Sequence, residues 1–201
     1  YLPGGQELPE PPFASERVRE ATIDDVGSMV ALEEELSGIR REKDFQFFLR
    51  NEQGVWRVLI LEGLNGGIDG FLCSIDHPGS NMLGPGVMRT DSDALALIHA
   101  QLAGMPGCQP VFLVPAHAEE LVASLYHWGA RNCEMHVAQV RGEAQEFRDC
   151  DKPQKTRPCV SSCSVRSCHG NIPISGFKKV RLHRFSIRLT RPQPQHPPKP
   201  P

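Results

Sequence analysis

The chain has 201 residues, 39% of them hydrophobic, and a formal net charge of -2. That length holds one ordinary domain with extensions rather than two full domains. No apolar run approaches the roughly 18 residues of a membrane span, and no basic-then-apolar leader opens the chain, so a cytoplasmic protein is expected.

The charge is unevenly placed. Residues 148–201 carry 12 Lys and Arg against Asp149 and Asp151, whereas residues 1–147 carry 10 basic and 22 acidic residues. The cysteines divide similarly: Cys73, Cys108 and Cys133 stand singly, and Cys150, Cys159, Cys163 and Cys168 cluster in the basic tail. An odd total with three isolated thiols argues for free cysteines and against a disulfide framework.

In chain order, residues 1–14 are rich in Pro and Gly and read as a linker. Arg17–Ala21 is a short strand candidate. Thr22 and Asp25 have capping-box spacing, and Val26, Met29, Val30, Leu32 and Leu36 follow at helical intervals up to Gly38. A second helix, about Glu42–Asn51, places Phe45, Phe48 and Leu49 on one face. Trp56–Leu61 and Ile68–Ile75 form a hairpin around Asn65-Gly66-Gly67.

The stretch Ser80–Ile98 is a strand, a tight Gly84-Pro85-Gly86 segment, a polar loop, and a helix bearing Ala94, Leu95, Ile98 and Leu102 on one side. With the strand Val111–Val114 it makes a strand–helix–strand unit whose helix start leaves backbone N–H groups unpaired. Pro115 then opens a helix with Leu121, Val122, Leu125 and Trp128 on its apolar face. Gly129 stops it, and Arg131–Val140 is a last strand. The order β-α-α-β-β-β-α-β-α-β describes an α+β arrangement of helices on a mixed sheet.

Val18-Arg19-Glu20-Ala21-Thr22-Ile23-Asp24-Asp25 and Leu125-Tyr126-His127-Trp128-Gly129-Ala130, in this order of elements, resemble the GNAT acyl-coenzyme A acyltransferase superfamily over about Arg17–Gly142. Leu36-Ser37-Gly38-Ile39-Arg40-Arg41 with Leu83-Gly84-Pro85-Gly86-Val87 resembles the C-terminal half of bacterial tandem-GNAT proteins, which implies an upstream GNAT domain as a partner. The resemblance implies a mostly antiparallel mixed sheet with helices on both faces, spanning residues 15–147. It also implies N-acyltransfer, most often acetyl transfer, from acetyl-CoA to a primary amine of a small molecule or peptide.

By the same resemblance, pantetheine would lie along Leu83, Gly84, Gly86 and Val87. The pyrophosphate would meet Arg89, Thr90, Asp91, Ser92, Asp93 and Ala94. The loop departs from the family pattern: no glycine follows Gly86, and Asp91 and Asp93 repel a phosphate, although either could instead serve as an N-cap. A catalytically degenerate ligand-binding or partner-packing module is therefore the competing reading.

Acyl transfer to an amine needs a base for the amine and an acid for the leaving thiolate. Tyr126 matches the family's acid, or else packs beside Trp128. The base candidates are His77 with Asp76 at a strand end, and Glu134 with His136 on one face of the last strand. Arg40 and Arg41 could receive an acidic acceptor, or form an exposed pair. Cys73, mid-strand between Leu72 and Ser74, reads as a core thiol.

The tail's Cys150, Cys159, Cys163, Cys168 and His169 lack metal-ligand spacing, and no metal site is expected. Its charge would attract nucleic acid non-specifically. No strand-length alternation follows Arg141-Gly142-Glu143, and 148–201 reads as disordered or out of frame, leaving the edge of the last strand open.

Overall fold

The computed structural model describes residues 9–10, 12–137, 140–141, 177–178 and 183–189. The strands are β1 (Val18–Glu20), β2 (Trp56–Glu62), β3 (Ile68–His77), β4 (Ser80–Met88), β5 (Val111–Pro115), β6 (Ala130–Val137), β7 (Val140–Arg141), β8 (Phe177–Lys178) and β9 (His183–Leu189). The helices are α1 (Val26–Ser37), α2 (Glu42–Arg50), α3 (Asp91–Ala103) and α4 (Glu119–His127). One sheet runs in the order β1-β2-β3-β4-β5-β9-β6, with β7 and β8 paired separately. Among the described residues only β4 and β5 run parallel; every other adjacent pair is antiparallel.

Side-chain alternation divides the core in two. Leu59, Leu61 and Leu72 join α3 and α4 in one cluster. Val58, Ile60, Phe71 and Cys73 join α1 and α2 in the other. Successive residues of a strand point to opposite faces, so the α1–α2 pair and the α3–α4 pair cover opposite sides of the sheet. Burial on both faces is why β2 and β3 read as apolar runs instead of alternating patterns.

The β4 strand breaks this alternation. Leu83 packs with the α3–α4 cluster and Val87 with the α1–α2 cluster, although residues four apart share a face in a regular strand. The register explains it: Leu72 opposes Gly86 and Ser74 opposes Leu83, so Gly84 and Pro85 together face Cys73. This is a β-bulge, and one extra residue turns the strand over. Gly84 has φ 126°, a conformation other residues rarely adopt. Beside the bulge, Gln101 Nε2 from α3 donates to the Leu72 carbonyl at 2.7 Å and Ser74 Oγ donates to Gln101 Oε1 at 2.9 Å.

Several boundaries move. The Thr22–Asp25 capping box is present, the Asp25 carboxylate accepting from Thr22 N–H at 2.7 Å. Pro115 ends β5 and does not open α4, which starts at Glu119. The linker reading of 1–14 gives way at its end, where Phe13–Arg17 forms a 3-10 turn, Ala14 is buried and the Pro9 carbonyl lies 2.9 Å from His99 Nε2; residues 1–8 and 11 lie outside the described residues.

The strand expected to be missing exists. His183–Leu189 lies between β5 and β6, pairing Phe112 with Ile187 and Asn132 with Ile187. Its sequence, His-Arg-Phe-Ser-Ile-Arg-Leu, alternates with the period of a strand. The β6 edge is therefore paired on that side. The tail cysteines and the other residues of 148–201 lie outside the described residues.

The bulge carries a testable cost. A methyl group on Gly86 would sit 2.6 Å from Leu72 Cδ1 and 3.0 Å from the Phe71 carbonyl oxygen. Gly86→Ala should lose about 1–3 kcal/mol in urea unfolding. Gly27, in α1 with open space around it, should behave oppositely: Gly27→Ala should gain about 0.4–1 kcal/mol. Equal effects at the two positions would refute the packing assigned to β4.

Candidate functional site

Beyond the bulge, β4 and β5 separate. Their one recorded pair is Met82 with Val111, while β5 continues to pair with β9 from Val111 to Pro115. The α3 and α4 helices both start at the open end of this gap, because each follows the C-terminal end of a strand that bounds it. Two helix N-termini with unpaired N–H groups thus flank the split.

The chain supplies its own anions there. Thr90, not an aspartate, is the N-cap of α3, its hydroxyl accepting from Asp93 N–H at 3.1 Å. Asp93 takes a bond from the Thr90 hydroxyl at 2.7 Å and one from Arg17 Nη2 at 3.4 Å. Asp91 reaches across to α4, where Leu121 N–H donates to its Oδ2 at 3.0 Å. Asp91 Oδ1 is buried without a partner among the described residues. Burial pushes the Asp91 carboxyl up, the Leu121 N–H pulls it down, Glu120 adds to the rise and His117 opposes it.

Arg89, the cation expected to meet a pyrophosphate, is engaged elsewhere. Its Nη1 and Nη2 donate to the two oxygens of Glu35, each at 2.6 Å, and its Nε lies 3.5 Å from Asp69. Leu83, Gly84, Gly86 and Val87 do border the gap on β4 but are buried. Ser92 and Ala94 sit in the first turn of α3.

Tyr126 is 45% exposed near the end of α4, whereas Trp128 packs on the α3–α4 core with His99 against it. The tyrosine is not held beside Trp128 in the core, which leaves its phenol accessible. The base candidates are far apart. His77 opposes Ser80 in the β3–β4 turn, where its Nδ1 accepts from Gly79 N–H at 3.0 Å. Glu134 is exposed on β6, four strands away in the sheet. Four strand spacings put their backbones roughly 19 Å apart before any offset along the strands. One reacting centre cannot use both. Asp76 is exposed on β3, and the side chain of His136 lies outside the described residues.

A side chain that local patterning passed over, Glu33, is paired with Arg41 beneath α1. Glu33 is 0% exposed on the inner face of α1. Arg41 donates to its Oε1 through Nε at 2.9 Å and through Nη2. Arg41 is therefore engaged inside the protein, which leaves the exposed Arg40, paired with the exposed Glu34 at 2.8 Å, as the accessible member of the two. The signal for Glu33 was present in the sequence as a carboxylate continuing the Val26-Met29-Val30 stripe. Cys73 is fully buried and burial pushes its thiol far up, as befits a core residue. Among the described residues no helix is long and apolar enough to cross a membrane, and no group of His, Cys, Asp and Glu is placed to hold a metal.

No family model and no curated protein matches the chain. Solved structures do. A probable acetyltransferase from Staphylococcus epidermidis superposes with TM-score 0.54 at 7% identity, over 85% of this chain and 96% of that one. The ribosomal-protein-S18-alanine N-acetyltransferase of Escherichia coli matches with TM-score 0.52 at 12% identity, over 89% and 97%. A GNAT superfamily phosphinothricin acetyltransferase from Sinorhizobium meliloti, in complex with AcCoA, gives 0.52 at 12%, over 85% of each chain. At such identities the likeness establishes the fold: this chain has the GNAT fold.

Asp91 lends itself to a direct test. A carboxyl held above its ordinary value costs stability as pH rises through its folded value, and the cost is absent below the ordinary carboxylate range. Asp91→Asn keeps an acceptor for Leu121 N–H and removes the charge. The variant should therefore gain on the wild type between pH 4 and pH 7 in thermal unfolding. A variant less stable at pH 7 would mean that the two helix dipoles outweigh burial.

Proposed function

We propose that this GNAT-fold chain is an acyl-CoA-dependent N-acyltransferase, probed best with acetyl-CoA, acting on a primary amine. The single pair between β4 and β5 carries the reading. Past Met82 the two strands leave edge N–H and C=O groups facing a gap, which suits an extended pantetheine amide arm that adds as a strand would. Leu83, Gly84, Gly86 and Val87 line it from β4. Pro85 offers no N–H, so the arm finds its donors on either side of it.

The diphosphate end fits less well. Ser92 contributes an N–H group, but the Ala94 N–H is donated to the Thr90 carbonyl and the Thr90 hydroxyl to Asp93, Asp91 and Asp93 present negative charge, and Arg89 must leave Glu35 to help. Binding then rests on the arm rather than on the phosphates. That arrangement also supports a second reading, a GNAT-like module that has lost acyl transfer and binds a ligand or packs against an upstream GNAT domain.

In the enzyme reading Tyr126 gives its phenolic proton to the departing thiolate as the C–S bond breaks. The acceptor meets an acid-rich domain, with 22 Asp and Glu against 10 Lys and Arg over residues 1–147, which favours a cationic amine. The described cysteines, Cys73, Cys108 and Cys133, form no disulfide, which supports a cytoplasmic setting.

Titration calorimetry should find acetyl-CoA binding, with acetyl-pantetheine within about tenfold of it because the phosphates contribute little. No heat from either compound would favour the module reading. In an active preparation Tyr126→Phe should fold normally and lose about 10²-fold or more in kcat. An equally active Phe variant would remove Tyr126 from the mechanism.

A further inference from the structure

The inner stripe of α1, Val26, Met29 and Val30, continues one turn later at Glu33, which is 0% exposed. A buried carboxylate is costly unless its oxygens are paired. Arg41 places two donors on Oε1, and Oε2 has no partner among the described residues. A carboxylate needed only to anchor Arg41 would gain by spreading two donors over two oxygens, as Glu35 does with Arg89. The free oxygen is spare capacity for one more donor.

Its place relative to the gap is set by its neighbours. Cys73, which opposes the Gly84–Pro85 bulge, feels the charges of both Arg41 and Glu33. Two residues further along α1, Glu35 holds Arg89 just beyond the end of β4. The last turns of α1 therefore lie across the bulged half of β4, on the opposite face from α3 and α4. Arg41 has 19% of its side chain exposed, so the arginine alone among the ion pair's two members reaches solvent.

We propose that Glu33 Oε2 receives the acceptor's primary amine, with Arg41 holding the carboxylate in place. This rests on the acyltransferase reading. Glu33 takes one proton from the ammonium group and later passes it to solvent. The freed amine attacks the thioester carbonyl, forming the C–N bond. The tetrahedral adduct collapses with cleavage of the C–S bond, and the nitrogen's surplus proton balances the one Tyr126 gives the thiolate. The net change is R–NH₃⁺ plus acyl thioester to amide, thiol and one proton.

The groups facing Glu33 are Arg41, Asp44 on α2 and Cys73 on β3. Burial raises its carboxyl most, Arg41 lowers it and Asp44 adds to the rise. A carboxylate held above its usual range is a stronger base for an ammonium proton.

The test uses the full chain with ¹³C-labelled glutamate and n-butylammonium as the probe. The Glu33 carboxyl resonance, assigned by its absence from Glu33→Gln, should shift saturably on titration. Calorimetric affinity should fall at least tenfold in Glu33→Gln and stay at the wild-type level in Glu34→Gln on the same helix. In active enzyme, Glu33→Gln should also lose the acidic limb of the kcat profile. An unshifted resonance, or equal affinity in Glu33→Gln, overturns the proposal. Should Glu33→Gln fail to fold, assignment through the Arg41→Lys variant leaves the wild-type titration to decide. Amine binding at Glu33 without turnover of acetyl-CoA would sink the acyltransferase reading and keep this site; turnover with Glu33 unaffected would do the reverse.

Discussion

The parting of β4 from β5 is the constraint on which the rest of the molecule depends. A continuous sheet would pair these strands along their length. Here Met82 with Val111 is the one recorded pair, and the two halves are held together instead by the α3–α4 core and by the bond from Leu121 N–H to Asp91. The bulge at Gly84–Pro85 has a second effect, turning β4 over so that Leu83 and Val87 serve opposite cores. A split sheet exposes backbone groups that water, a ligand arm or a neighbouring strand must satisfy. The same feature that weakens the sheet is thus the one on which the proposed binding rests.

On this side of the molecule the arginines are matched within the protein. Three consecutive glutamates on α1 each meet a different arginine: Glu33 with Arg41, Glu34 with Arg40 and Glu35 with Arg89. Arg17 joins Asp69 to Asp93, and Arg19 joins Asp25 to Glu62. An anionic ligand must compete with these carboxylates for its cations. A cationic acceptor faces no such competition, because acidic residues outnumber basic ones in this part of the chain. Electrostatics therefore separates the two ends of the proposed reaction: the thioester arm is held by backbone and shape, the amine by charge.

What local patterns carry was legible before any coordinates. The capping box at Thr22–Asp25, the hairpin around Asn65-Gly66-Gly67, the four helices and the first six strands each follow from residues within a dozen positions of one another. The β9 strand was also written in its alternating residues, yet the lack of alternation directly after Arg141-Gly142-Glu143 made 148–201 read as disordered or out of frame. Local period says that a segment is a strand; it does not say which strand it will join.

Sequence by itself determined the elements, the α+β class and the acid-rich and basic halves, because propensity, period and charge are properties of neighbouring residues. Tertiary structure alone decided that β9 inserts between β5 and β6, that Asp91 bridges two helix N-termini, and that Arg89 answers to Glu35. It also decided that Glu33 is buried with one oxygen unused, and that His77 and Glu134 stand on strands too far apart to act together. Each of these is a meeting of residues distant in sequence or a consequence of burial. Both are set by packing that no short window of sequence contains.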